Sequence, residues 1–171
     1  MRGVLVCLGV SAVVGLAVLA ADARAGDKGG KVALDKVPKK VMDAVKARFP
    51  GAEITSVGKE TVGGDVVYDI EMKVKGRKHE MDIKEDGTVL EVENEIPAKD
   101  LPKAVRKALE TKFPKSTIKE AMEVNLVKNN KEKLDHYEVT LQTADNRTVE
   151  VTVSLDGKEV KGGEQKEKEK K

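Results

Sequence analysis

Tryptophan is absent from this 171-residue chain, and phenylalanine and tyrosine number two each. Base-stacking platforms are built from such rings, so a nucleic-acid-binding surface of that kind is excluded. The single cysteine, Cys7, lies in an apolar run near the start. Once that run is removed no thiol remains, which excludes disulfides, thiol nucleophiles and cysteine metal ligands. Only two histidines occur, His79 and His136, far apart in sequence. A zinc site needs more ligands than they supply, and neither has a catalytic partner at a recognisable spacing. An excess of one charge is also missing. Lysine and arginine total 32 against 30 acids, for a net charge of +2. The two signs are interspersed along the chain, so no strong field favours a polyanion.

What is present begins with an export signal. Arg2 gives a positive start, residues 4–20 are apolar, and Ala23-Arg24-Ala25 is a small-x-small cleavage site. Cleavage after Ala25 leaves a mature chain starting at Gly26. The apolar run is borderline in length for a membrane span. An exported location, periplasmic or extracellular, is therefore expected, with no membrane partner after cleavage.

The mature chain states one pattern twice. Val37-Pro38-Lys39, Val41, Ala44, Phe49-Pro50 and Ile54 recur as Leu101-Pro102-Lys103, Val105, Ala108, Phe113-Pro114 and Ile118. Tyr68-Asp69-Ile70 returns as Tyr137-Glu138-Val139, and Asp86-Gly87 as Asp156-Gly157. A duplicated unit of this size is a supersecondary module. The expected organisation is a signal peptide at 1–25, a Gly- and Lys-rich leader at 26–33, a first repeat at 34–95, a linker at 96–99 and a second repeat at 100–161. A disordered tail of alternating lysine and glutamate follows at 162–171.

Each repeat opens with a helix. Val41, Ala44, Val45 and Phe49 share one helical face, as do Val105, Ala108, Leu109 and Phe113. Pro38 and Pro102 fit a first helical turn, and Pro50 and Pro114 stop the helices. The period then becomes two. Tyr68, Ile70, Met72 and Val74 alternate with Asp69, Glu71, Lys73 and Lys75. After a turn at Gly76-Arg77, His79, Met81 and Ile83 alternate with Lys78, Glu80, Asp82 and Lys84. The second copy repeats this with Tyr137, Val139 and Leu141, then Val149, Val151, Val153 and Leu155. First strands are placed at 53–61 and 117–126, and residues 128–133 form a polar loop. Such alternation predicts antiparallel strands with one solvated face. The fold class is α+β: two tandem repeats, each a helix packed on a four-stranded antiparallel sheet.

The phrase Leu101-Pro102, Val105, Ala108, Phe113-Pro114, with the Tyr137 strand and the Asp156-Gly157 turn, resembles the PepSY-like, beta-lactamase-inhibitor-like family. The resemblance covers nearly all of the mature chain and rests on apolar and turn positions. It implies exported bacterial proteins, often in tandem copies, with no established catalysis, linked to inhibitors that grip an enzyme with a concave sheet. The missing disulfides and the scarcity of aromatic anchors depart from such inhibitors.

The residues give no sign of an enzyme or a cofactor. Ser56, Ser116 and Ser154 have no histidine positioned for a triad. Asp86-Gly87 and Asp156-Gly157 are explained by turn chemistry, and Gly63-Gly64 by a hairpin. Asp69, Glu71, Glu80 and Asp82 would converge on one face and could collect a hard cation. Interleaved Lys73, Lys78 and Lys84 make cross-strand ion pairs the simpler account. The expected function is a non-enzymatic exported module that binds an envelope protein or peptide, including a restrained peptidase, through the polar sheet face. That face comprises Asp69, Glu71, Lys73, Glu80, Asp82 and Lys84, then Glu138, Thr140, Glu150, Thr152 and Ser154. The alternative is a cation-responsive or cell-envelope-associated binding domain using the same acids.

Overall fold

The structure, a computed structural model, describes residues 30–165. The expected signal sequence, its cleavage site at Ala25 and most of the leader lie outside the described residues. Two helices, α1 (Lys39–Arg48) and α2 (Lys103–Lys112), each precede four strands. The first four are β1 (Glu53–Val62), β2 (Asp65–Val74), β3 (Arg77–Lys84) and β4 (Val89–Glu95). The second four are β5 (Thr117–Lys128), β6 (Lys131–Gln142), β7 (Thr148–Ser154) and β8 (Val160–Gln165).

All eight join one antiparallel sheet in sequence order. The two expected four-stranded sets are therefore joined in one sheet. β4 pairs with β5, from Glu91↔Leu126 to Glu95↔Met122, and the two sets of strands are continuous. Unpaired strand edges leave backbone groups unsatisfied, and this pairing removes two of them.

Helix spacing produces the two cores. Val41 and Val45 of α1 are buried against Tyr68, Ile70, Met72, Met81, Ile83 and Val92. Val105 and Leu109 of α2 are buried against Tyr137, Val139, Leu141, Val149, Val151 and Val153. Both helices thus cover the same face. Pro38 and Pro102 stand one residue ahead of the helices rather than inside the first turn, in extended conformation (ψ 142° and 145°). Their carbonyls accept the first helical bonds, from Met42 and Arg106. Phe49 and Phe113 end the helices, each amide bonding back four residues. They were expected to be buried, but both are only partly covered, because each lies past the last helical turn at the rim of its core.

Between the cores runs a polar seam. His79 Nδ1 meets Asn94 Oδ1 at 2.8 Å, and its ring lies 4.8 Å from that of Phe49. Glu123 and Asn125 continue the seam on β5, opposite Asn94 and Val92. The β5–β6 hairpin bridges the halves: Val127 packs on the first core, and Arg48 pairs with Glu132.

Three boundaries differ from expectation. The β2–β3 turn uses Lys75 and Gly76, both at positive φ, because a two-residue hairpin turn matching strand twist requires it. The expected loop at 128–133 is a two-residue turn at Asn129 and Asn130, also both at positive φ. Asparagine tolerates that region, so the strands run on through the polar residues. β8 extends through residues 162–165, beyond the boundary drawn at 161, pairing Val151↔Gly162 and Val149↔Gln165.

The two Asp-Gly turns pack under the helix starts. A Cβ on Gly157 (φ +69°) would lie 2.6 Å from the Ala104 carbonyl oxygen, whereas one on Gly51 (φ +79°) would meet nothing within 4 Å. Gly51→Ala is expected to cost about 1–2 kcal/mol, the strain of the left-handed region alone. Gly157→Ala is expected to cost clearly more, because backbone must also shift. Urea unfolding of both variants checks the order, and equal losses would contradict the close approach. In the second core, Leu109→Ala is expected to cost about 2–5 kcal/mol by the same measurement.

Candidate functional site: the helix-free face

The face opposite the helices is set by strand register. On β2 it presents Asp69, Glu71 and Lys73; on β3, Lys78, Glu80, Asp82 and Lys84; on β4, Glu91, Glu93 and Glu95. The register puts like opposite like. Asp69 faces Asp82, which faces Glu91; Glu71 faces Glu80, which faces Glu93. Lys73 faces Lys78. The expected cross-strand ion pairs do form at the margins, Lys84 with Asp65 and Lys78 with Glu120, while the acids of the middle rows face acids. Directly opposed like charges destabilise a sheet.

Nor is the face simply solvated, as alternation implied. Asp69, Glu71, Glu80 and Asp82 are half-buried, and Glu91 is only 5% exposed. Val67, Met122 and Val124 on this side are buried as well, and Val124 is fully covered. They belong to neither helix-side core. With no helix over them, these residues are covered by neighbouring side chains of the same face, and the carboxylates among those neighbours lose solvent too.

The consequences are electrostatic. Burial raises the Asp69 carboxyl to about 7, assisted by Glu80, Asp82, Glu71 and Glu60. Glu93 is held well above the ordinary carboxylate range by burial first, then by Glu80, Glu138, Glu91 and Asp82. Burial also raises Glu80, although Lys78 Nζ at 2.5 Å opposes it. Burial alone would lower Lys78, but its bond to Glu80 and the charges of Glu80, Glu120 and Glu71 outweigh this. Lys78 Nζ also lies 3.4 Å from Glu120. Lys84 turns outward to Asp65 at 2.5 Å.

The second half of the face is different. Glu138 faces Met122 and Thr152, and Thr140 faces Glu120 and Glu150. His136 lies between Asp135 at 3.0 Å and Glu138 at 3.5 Å, opposite Val124 and Ser154. The residues best placed to hold a metal are Asp69, Glu71 and Glu80, which can bring one oxygen each within 4.8 Å of one another. The Ser154 hydroxyl, across from His136, donates to Asp156 at 2.8 Å.

The family model for beta-lactamase-inhibitor-like, PepSY-like proteins matches residues 25–91 and 67–160. The chain belongs to this family. Among solved structures, a BLIP-like protein of Bacteroides fragilis is 20% identical, with a TM-score of 0.50, covering 78% of this chain and 92% of that one. A DUF2874 protein of Bacteroides uniformis is 14% identical, with a TM-score of 0.54, covering 73% and 88%. A Bacteroides eggerthii protein, provisionally described as periplasmic, is 12% identical, with a TM-score of 0.55, covering 74% and 88%. At these identities the likeness is one of fold. No curated protein matches the sequence. No enzyme family is indicated, and no helix among the described residues is long and apolar enough to cross a membrane.

For this PepSY-like chain the structure brings together Asp69, Glu71, Glu80 and Asp82, with Lys73 at the rim. Glu138, Thr140, Glu150 and Thr152 lie on the same face but across β5. The sequence reading missed Glu91, Glu93 and Glu95. Their signal was present, since they alternate with Val92 and Asn94, but a short terminal strand drew no register. It also missed Met122 and Val124, which the alternation rule would assign to the covered face.

These shifts have a testable sign. A raised carboxyl keeps its proton in the folded state at a pH where the unfolded chain has released it. Its stabilisation is complete below the unfolded value, about 4, and is lost as pH rises through the folded value, about 7 for Asp69. His136 acts in the same direction: burial lowers it, but Glu138 and Asp135 outweigh burial and raise it. Asp86 and Asp156, held low by turn hydrogen bonds, act only at more acid pH. Melting temperature is therefore expected to be higher at pH 5 than at pH 8. Asp69→Asn combined with Glu93→Gln should raise it at pH 8 and flatten the profile. Stability that climbs from pH 5 to pH 8 would contradict this charge arrangement.

Proposed function

We propose that this protein is an exported, non-enzymatic binding module whose acidic, helix-free face holds a basic segment of an envelope protein or peptide. The observation that carries the reading is the register of β2, β3 and β4, which sets carboxylates opposite carboxylates at half-buried positions. A fold gains nothing from that repulsion, and cationic side chains from a partner would relieve it. Electrostatic complementarity of this kind speeds and orients association. Leu126, 40% exposed beside this acidic patch, offers an apolar contact next to the charges. We read residues 34–95 and 100–161 as duplicated copies that kept a common core and diverged on this face. A peptidase restrained by such a contact fits the same reading, as does a periplasmic location, in line with the signal sequence.

The test uses a lysine-rich synthetic peptide as probe. Replacing Glu71→Lys and Asp82→Lys together is expected to weaken its binding at low salt by about tenfold or more, since each desolvated contact contributes over a kilocalorie. Melting at pH 8 should hold or rise as repulsion is relieved. Unchanged peptide affinity in the folded double variant would overturn the proposal.

One geometric fact favours a second reading. The oxygens of Asp69, Glu71 and Glu80 that come within 4.8 Å of one another are the donors a hard divalent cation such as calcium takes. On this reading millimolar calcium raises the melting temperature, because a ligand bound only by the native state stabilises it. Asp69→Asn with Glu71→Gln should abolish the rise. A melting temperature indifferent to calcium would exclude it.

A further inference from the structure

The interspersed charges of the sequence are sorted by the fold into two layers. While the open sheet face is acidic, α1 carries Lys39, Lys40, Lys46 and Arg48 against one acid, Asp43. α2 carries Lys103, Arg106, Lys107 and Lys112 against one acid, Glu110. All six lysines are exposed. The two arginines are engaged elsewhere, Arg48 with Glu132 and Arg106 with the Lys99 carbonyl. Lys39 pairs with Asp43 and Lys112 donates to the Val160 carbonyl, which leaves Lys40, Lys46, Lys103 and Lys107 spread over two helices on the same side of one sheet.

Two exposed leucines stand at the same ends of this layer. Leu34, 52% exposed, lies in the short turn leading into α1, beside Asp35 and Lys36, which pair at 3.6 Å. Leu155, 41% exposed, lies in the turn whose Gly157 packs against Ala104 at the start of α2. Basic side chains beside exposed apolar ones are the composition of surfaces that settle on anionic bilayers. Lysine is a compact point charge without the directional fork of arginine. It suits a diffuse array of lipid phosphates better than one specific phosphate.

We propose that the helix layer is a peripheral docking surface for an anionic phospholipid bilayer. Leu34 and Leu155 enter the headgroup region and the lysines of α1 and α2 lie over the phosphates. The sheet's acidic face then points away from the membrane, open to a partner. This goes beyond the expectation of no membrane contact after processing. It does not rest on the binding role proposed for the other face, because the two faces can be altered separately.

The test is flotation of the native exported chain with phosphatidylcholine vesicles, with and without phosphatidylglycerol. The chain is expected to float with the anionic vesicles at low salt and to be released as salt rises. Reversing Lys40→Glu, Lys46→Glu, Lys103→Glu and Lys107→Glu should lower the bound fraction by about tenfold or more, given the contribution of each lysine near such a surface. Leu34→Ser should lower it a few-fold, and Glu71→Gln with Asp82→Asn should leave it unchanged or raise it. Should the fourfold reversal fail to fold, the matching lysine-to-glutamine set takes its place, with circular dichroism confirming the fold. Three results overturn the proposal: equal flotation with both vesicle types, anionic flotation that survives the lysine changes, or binding displaced by free inorganic phosphate at matched ionic strength. Retention on a soluble polyanion without vesicle binding also overturns it.

Discussion

The pairing of β4 with β5 is the contact on which everything else in this molecule depends. Without it the chain would be two small units, each with four strands, one helix and two open edges. Small cores of that size stabilise a fold only marginally, and no disulfide is available to help. Five residue pairs along β4 and β5, from Glu91↔Leu126 to Glu95↔Met122, merge the units. They also fix the relation of the two faces. Once Val92 and Ala121 lie under the helices, Glu91, Glu93, Met122 and Val124 must share the other side. The polar seam at His79, Asn94 and Glu123 shows that the junction is not a hydrophobic interface. Backbone pairing holds the centre, while Val127 and the Arg48–Glu132 pair tie the hairpin to the first core.

Continuity of the sheet converts a neutral sequence into a polarised object. Alternation along each strand puts acids on one side, and the helices, which must cover the other side, bring their own lysines outward. Neither step requires an unusual residue. The like-charge rows across β2, β3 and β4 are then a place where the fold opposes itself electrostatically. They are tolerated because protons, and the single buried-side lysine Lys78, take up part of the repulsion.

Most of the fold was legible in the residues. The helix faces at Val41/Val45 and Val105/Leu109, the alternation from Tyr68 to Lys84, and the Asp-Gly turns all follow from spacing and turn chemistry that act over a few residues. Misplaced turns had local causes too. Asn129-Asn130 reads as a polar loop by composition but as a tight hairpin by its tolerance of positive φ. The continuous sheet was not legible, because pairing of β4 with β5 joins segments separated by a helix, and no periodicity records it. The candidate site was half legible. Alternation correctly put Asp69, Glu71, Glu80 and Asp82 on one side. Whether acids would meet lysines or other acids is decided by register: a slide of two residues along β3 would set Asp69 opposite Lys84 and Lys73 opposite Glu80. The burial of Val124 and Glu91 depends on neighbours brought in from other strands, which sequence spacing does not encode.

The glycine pair Gly162-Gly163 has a consequence for what the molecule avoids. Both residues take positive φ, and the pairing of β8 with β7 is irregular there, skipping between Val149 and Val151. At the opposite border β1 is likewise interrupted between Ile54 and Ser56, and Val32 occupies the carbonyl of Val57 with its amide. A foreign strand adding to either margin would meet a broken ladder in place of a straight row of donors and acceptors. An open meander can in principle grow without limit by recruiting further chains. This one carries irregularity at both described borders, so its margins disfavour the straight pairing on which a fibre would grow.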